Sequence, residues 1–246
     1  MTNSAMRVVG EPAGGGRALV VAVDGPSGSG KSSAARGTAS ALGLRYLDTG
    51  AMYRAVTWWL IEHGVDLADT ESVIRHGLGL TIDISTDPGA QHVRVDGLDV
   101  TTEIRYRRVS NVVSLVASVP QIRRHLIALQ QGIIADAVAG AAGIVAEGRD
   151  IGTVVAPDAD VKIFLTASEQ VRAERRAAEL AAPSGDGLDG PASTQVTRIE
   201  QAQRDQRDAP QTQLAGDAVE IDATELGLDE VIGRIVALAV AKRADG

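Results

Sequence analysis

The chain has 246 residues, 44% of them hydrophobic and 2% aromatic, which suits one domain with insertions and a core filled mostly by Leu, Ile, Val and Ala. Its 24 lysines and arginines face 32 aspartates and glutamates, a net charge of −8 that argues against a protein that coats nucleic acid but leaves room for a local basic cleft. With no cysteine, disulfides and thiolate metal sites are excluded, and no run approaches the ~18 consecutive apolar residues of a membrane span.

Residues 1–17 are polar and glycine-rich, without the apolar stretch of a signal peptide, and are expected to form a mobile tail on a soluble, cytoplasmic protein. "ALVVAVD" (Ala18–Asp24) is branched and apolar on consecutive positions, which predicts a strand buried on both faces of a parallel sheet. A helix follows from Lys31 to about Leu42, with Gly43 as its stop. "LRYL" is a second strand, and "GAMYRAVTWWLIEHG" is an apolar-faced helix ending at Gly64. Residues 65–105 change character: "LTIDIS" and "HVRVDG" alternate apolar and polar around "TDPGAQ", the pattern of a half-exposed hairpin in an inserted subdomain.

"VSNVVSLVAS" and "PQIRRHLIALQQGIIADAVAG" read as two helices, the second opened by Pro120. "GIVAEGRD" and "DVKIFLTA" are further buried strands, and "SEQVRAERRAAEL" is a helix capped by Ser168. "AAPSGDGLDGPAS" has the composition of a mobile loop. The helix "QVTRIEQAQRDQRD", the strand "AVEIDAT" and the helix "LDEVIGRIVALAVAKR" close the chain. Strands alternating with helices predict an α/β fold built on a parallel sheet.

Between the first strand and the first helix stands "GPSGSGKSS" (Gly25, Pro26, Ser27, Gly28, Ser29, Gly30, Lys31, Ser32, Ser33). It satisfies G-x-x-x-x-G-K-[ST]. A bare match also fits a glycine-rich turn with a solvated lysine, but a strand before and a helix after favour phosphate binding. The glycines let successive N–H groups curl inward toward phosphate oxygens, and the helix start adds its positive dipole end. Lys31 can then reach the β- and γ-phosphates, and the Ser32 hydroxyl can ligate Mg²⁺. No N-K-x-D guanine motif is present, which points away from a regulatory GTPase and toward a small-molecule kinase.

Arg54 lies about one turn into the helix after the second strand and can clamp an acceptor phosphate bidentately, although a lone arginine is by default a surface residue. Glu147 ends a buried strand, followed by Arg149 and Asp150 in a loop bent by Gly148 and Gly152. Charges at the carboxyl end of a parallel strand fall in the binding crevice, and Glu147 is placed to orient Mg²⁺ through water. His63, His76, His92 and His125 show no metal-ligand spacing.

"GPSGSGKSS", "LDTGAMYRAV", "EIR" (Glu103–Arg105), "VAEGRDIGTVVAPDADVKIFLTAS" and "DAVEIDAT" together resemble the bacterial cytidylate kinase family over residues 18 to 240 or so. The P-loop is shared by many enzymes, whereas "LDTGAMYR" and "EGRDIGTVV" are specific to this family. The resemblance implies a P-loop kinase core on a five-stranded parallel sheet in residues 18–246. An inserted acceptor-binding subdomain (65–105) and a mobile lid (175–210) would complete it. It implies phosphorylation of CMP or dCMP by ATP with Mg²⁺, on a monomer that needs neither nucleic acid nor membrane.

Carried over by motif, Thr49 and Arg54 fall in the acceptor site, Arg54 on the CMP phosphate. Ser114 and Arg123 contact cytosine, although by themselves they read as a helix-face serine and a surface arginine. Arg149 binds phosphate, Asp150 lies in the pyrimidine site, Arg204 is a lid arginine and Asp208 contacts the ribose. Lys31, Arg149 and Arg204 are the expected catalytic cations. Arg172, Arg175 and Arg176 read equally as ATP contacts or as a solvated helix face.

The family pattern R-D-x-x-D-S-x-R becomes "RDQRDAPQ", so Gln211 stands where a second phosphate-clamping arginine is expected. If the helix runs on through Arg207, that side chain projects within a turn of Arg204 and could supply the missing charge when the lid closes. Kinases for another nucleoside monophosphate or small acceptor, or a nucleotide-binding regulator with impaired turnover, are the competing readings.

Overall fold

The computed structural model describes residues 18–181 and 194–244. The expected tail (1–17) and most of the expected glycine-rich loop lie outside the described residues. The elements follow the order β1 (Val20–Asp24), α1 (Lys31–Leu42), β2 (Arg45–Asp48), α2 (Thr49–Glu62), α3 (Thr70–Gly77), β3 (Ile82–Ile84), β4 (Val93–Val95), β5 (Leu98–Asp99), α4 (Arg107–Ala117), α5 (Pro120–Ala139), β6 (Ile144–Glu147), β7 (Val161–Thr166), α6 (Glu169–Ala181), α7 (Thr194–Asp208), β8 (Val219–Asp222) and α8 (Leu228–Ala244). Among the described residues no single helix is long and apolar enough to cross a membrane.

Five strands form a parallel sheet in the order β2-β6-β1-β7-β8, as the alternation of strands and helices predicts. Successive side chains of a strand point to opposite faces, and in β1 this splits the core in two. Ala22 joins a cluster with Leu47, Met52, Ile122 and Leu126. Val21 and Val23 join another with Ala35, Ile163, Leu165 and Ile235. Helices α2, α4 and α5 cover the first face, α1 and α8 the second. Both faces of β1 are covered, which is why its sequence is apolar on consecutive positions from Val20 to Val23 rather than alternating.

Gly43 ends α1 in the left-handed region at φ 64°, and Pro120 stands in the first turn of α5, both as expected. The alternating segment forms a separate three-stranded antiparallel sheet, β3-β4-β5, in which Val93 and Val95 are buried while Arg94 is exposed. Its third strand was not foreseen, being two residues long. Its signal was the Asp96-Gly97 pair, whose positive φ values of 50° and 82° make the tight turn joining β4 to β5. The Tyr46 amide donates to the Thr86 carbonyl at 2.9 Å, so the segment after β3 caps the free edge of β2.

β1 lies between β6 and β7, so its carboxyl end opens at the point where connections leave in opposite directions, the usual seat of a ligand in such sheets. Gly25 follows with φ +143°, and a Cβ there would lie 2.1 Å from the Leu165 carbonyl oxygen of β7. Only glycine lets the chain leave the sheet so close to its neighbour.

Leu47 is fully buried, and Leu47→Ala is expected to cost about 2–5 kcal/mol, read as a lower denaturant midpoint. Leu98→Ala, on a side chain 59% exposed, should change stability by no more than about 0.5 kcal/mol.

Candidate active site

A cleft of about 710 Å³ runs across the carboxyl ends of β1, β2 and β6. One end is the loop Gly25–Gly30 with the start of α1, and the other is formed by α2, α4, α5 and the end of α7. Of the residues expected from sequence, Ser27, Gly28, Gly30, Lys31, Ser32, Ser33, Thr49, Arg54, Ser114, Arg123, Arg149, Asp150, Arg204 and Asp208 all line it. Gly25, Pro26 and Ser29 form the loop's other side: the Gly25 carbonyl accepts from Arg149 Nη1 at 2.9 Å, and the Pro26 carbonyl from Lys31 Nζ at 2.6 Å. Ser29 is fully buried, with its Oγ 3.5 Å from Lys31 Nζ.

Burial drives the Lys31 pKa down to about 7; Arg149 and Arg204 push it the same way, while Glu147 and Asp24 oppose them. Arg204 is likewise lowered to about 9, by burial first and then by Arg149. The cleft thus brings Lys31, Arg149 and Arg204 close enough to repel one another, a condition a polyphosphate chain relieves.

The phosphate loop is braced from behind. Arg172, buried, donates to the Ser27 carbonyl at 2.9 Å and the Ala167 carbonyl at 3.2 Å, and pairs with Asp205 of α7. Arg175 donates to the carbonyls of Ser29 at 3.3 Å and Ala223 at 2.8 Å. These two arginines are therefore neither a solvated face nor directed into the cleft; they satisfy the Ser27 and Ser29 carbonyls, while Asp205 accepts from the Ser27 amide at 3.3 Å. Arg176 does line the cleft and donates to Ser110 Oγ at 2.9 Å.

At the floor, the Tyr46 hydroxyl donates to Glu147 Oε1 at 2.6 Å, Thr49 Oγ1 to the Glu147 carbonyl at 2.6 Å, and the Ser32 hydroxyl to the Glu147 carboxylate. Burial raises the Glu147 pKa, and the neighbouring Asp48 carboxylate raises it further. Burial would raise Asp48 too, but Arg54, 2.7 Å away, together with Arg105 and the Ala51 amide holds it below its ordinary value. Asp24 accepts from the amides of Ile151 and Gly152, both at 2.8 Å, and burial still lifts it to about 6.

Among the described residues no three His, Cys, Asp or Glu side chains gather to hold a metal by themselves. The Ser32 hydroxyl beside the buried Glu147 carboxylate nonetheless suits a hard divalent cation that keeps water ligands and draws the rest from phosphates.

At the far end Arg123 pairs with Asp150 and donates from Nη1 to Gln211 Oε1 at 3.0 Å. Ser114 Oγ donates to Asp208 Oδ1 at 2.7 Å, and Arg149 Nε to Asp208 Oδ2 at 3.2 Å. Arg204 Nε lies 3.6 Å from the same oxygen. Burial raises Asp208, but these two arginines overcome it and hold the pKa low. α7 runs on through Arg207, whose exposed side chain donates to the Asn111 carbonyl at 3.2 Å and does not line the cleft.

Asp24, Tyr46, Asp48, Tyr53 and Arg105 were not expected in the site. Asp24 and Asp48 end β1 and β2, so the strand-end rule that singled out Glu147 would have found both.

A strand, a glycine loop and a helix around a buried lysine, opening on an arginine-lined cleft, define a P-loop phosphotransferase. The cytidylate kinase family model matches residues 21–241. The cytidylate kinase of Streptomyces griseus is 46% identical over 92% of this chain and 94% of its own length. That of Streptomyces avermitilis is 43% identical over 99% of both, and that of Rhodococcus opacus 47% identical over 92% of this chain and 96% of its own. The chain belongs to the cytidylate kinase family.

Removing the Arg172 side chain takes the ion pair from Asp205, which keeps the Ser27 amide, and a donor from the Ser27 and Ala167 carbonyls. Arg172→Ala is expected to lower unfolding free energy by about 2 kcal/mol or more, short of a fully buried pair because Asp205 keeps some water contact. Arg172→Lys should recover only part, since one ammonium cannot span the same three acceptors. Equilibrium denaturation of both variants checks this.

Proposed function

We infer that the protein transfers the γ-phosphoryl group of ATP to CMP or dCMP, giving CDP or dCDP. The observation that carries this is the convergence of Lys31, Arg149 and Arg204 on one cleft whose opposite end pairs Arg123 with Asp150. Cations occupy the middle, where two phosphate groups would meet, and a donor-acceptor pair occupies the end, where a ring edge would lie.

An oxygen of the acceptor phosphate forms the new bond to the γ-phosphorus. The bond from that phosphorus to the β-bridging oxygen breaks, and ADP departs with the electron pair. The attacking oxygen is already anionic, so no strong general base is required; rate comes from alignment and charge neutralisation. Loop amides and Lys31 hold the β- and γ-phosphates. Arg54 and Arg149 hold the acceptor phosphate, and Arg204 faces the transferring group. Ser32 and Glu147 are the residues that would hold Mg²⁺, which neutralises phosphate charge when bound.

Ser114, Arg123 and Asp150 read the cytosine edge, with Thr49 lining the acceptor side and Asp208 at the sugar. A site whose buried polar groups need partners rejects a base that leaves them unpaired.

An ADP-release assay across CMP, dCMP, UMP and AMP tests the reading. CMP and dCMP should be the preferred acceptors. Lys31→Ala should fold and lose orders of magnitude in kcat; near-normal turnover would overturn the P-loop assignment. Arg123→Ala should raise KM for CMP far more than KM for ATP, and equal effects would remove Arg123 from the base site. A preference for AMP or UMP identifies another monophosphate kinase, and ATP binding without turnover identifies a regulator.

A further inference from the structure

Tyr46 is buried, and the phosphate-transfer reading gives it no part, yet its hydroxyl opens onto the floor of the cleft. Side chains alternate along β2, so Leu47 joins the cluster covered by α2 while Tyr46 joins the one covered by α1, with Ala34, Ala35 and Val145. Tyr46 stands opposite Val145 of β6, and Glu147, two residues further on, projects from the same face of the sheet. The Tyr46 hydroxyl spans that diagonal and donates to Glu147 Oε1 at 2.6 Å. The strand beneath it is held along both edges, by β6 on one side and by the bond from the Tyr46 amide to the Thr86 carbonyl, 2.9 Å, on the other.

Asp48 lies directly across from Glu147, and its carboxylate is engaged by Arg54 at 2.7 Å and by the Ala51 amide at 2.8 Å. Glu147 instead receives neutral hydroxyls, from Tyr46 and from Ser32. The difference matters to a cation. A guanidinium on Glu147 would offset its charge and repel a positive ion, whereas a hydroxyl orients the carboxylate and leaves that charge in place. A glutamate side chain is long, and holding it in one rotamer costs entropy that a well-placed bond must offset. The tyrosine ring has few rotatable bonds and sits in the core, so it fixes where that bond can form.

We propose that Tyr46 is a positioning residue of the divalent-cation site, fixing the Glu147 carboxylate beside the Ser32 hydroxyl. This rests on the reading of Ser32 and Glu147 as the residues that would hold Mg²⁺. Tyr46 acts through Glu147, so its loss is felt by the cation before it is felt by ATP or CMP.

Two variants of the full chain test this, with a non-hydrolysable ATP analogue bound and Mn²⁺ affinity read by electron paramagnetic resonance. Tyr46→Phe keeps the ring and removes the hydroxyl; it should weaken Mn²⁺ about tenfold. Calorimetric Kd values for CMP and for the metal-free analogue should move less than twofold. The Mg²⁺ concentration giving half-maximal turnover should rise by a similar factor, with kcat at saturating Mg²⁺ within about threefold of native. Thermal midpoints verify folding. In the native chain, NMR of labelled tyrosine gives a second reading: Tyr46, one of three tyrosines, should show a ring signal that moves when Mg²⁺ is added to the analogue complex.

The proposal is overturned if Mn²⁺ affinity is unchanged in Tyr46→Phe, or if the Tyr46 signal ignores Mg²⁺. It is equally overturned if Tyr46→Phe weakens metal, analogue and CMP together, which would make the tyrosine a packing residue only. Failure of the underlying reading looks different: Glu147→Gln would then leave Mn²⁺ affinity at the native value, whereas it should fall at least as far as in Tyr46→Phe.

Discussion

Lys31 Nζ folds back onto the Pro26 carbonyl at 2.6 Å, and that contact sets the terms for the surrounding cleft. The ammonium is buried, and its nearest charged companions include two arginines as well as two carboxylates. A cation so placed has lost water without gaining a full set of anionic partners, which is why its pKa is low. The loop that holds it cannot relax away. Gly25 lies against the β7 backbone, and the loop's outward carbonyls are bound by Arg149, Arg172 and Arg175. Arg172 and Arg175 engage two of those carbonyls from α6 and Arg149 the third from the cleft side, so the loop is held on both sides.

The second organising feature is the seam between α4 and α7. Arg107 grips the Glu200 carboxylate with two bonds, at 2.6 and 3.1 Å, and Asn111 adds a third at 3.2 Å. Ser114 meets Asp208 a turn further on. Positions 107, 111 and 114 recur on one face of a helix, as do 200, 204 and 208 on the other. The two faces therefore meet residue by residue, and the seam delivers Arg204 and Asp208 to the cleft from a helix distant in sequence.

The protein's overall acidity coexists with this cationic centre because the two lie on different parts of the molecule. Asp217, Asp222, Asp99 and Asp69 are surface carboxylates whose charge is held by local hydrogen bonds. Lys31, Arg54, Arg123, Arg149 and Arg204 are instead gathered around Asp24, Asp48, Glu147, Asp150 and Asp208. A net charge of −8 thus says little about the potential a nucleotide meets inside.

Much of the architecture was legible because it depends on local physics. The continuous apolar run of β1 announced a strand buried on both faces, Gly43 and Pro120 marked helix ends through backbone geometry alone, and Gly25 to Ser32 formed a phosphate loop because strand, glycines and helix are contiguous. The alternation around residues 82–95 likewise announced the exposed hairpin, though not the short β5. What sequence could not decide is where long side chains end. Arg172, Arg175 and Arg176 are near neighbours on one helix, yet two brace loop carbonyls and one enters the cleft. Arg207 lies within a turn of Arg204 but turns to α4, and Gln211 accepts from Arg123. Those outcomes depend on which carbonyl or carboxylate a distant element brings within reach of a flexible side chain, and only the packing of α4, α6 and α7 around the sheet determines that.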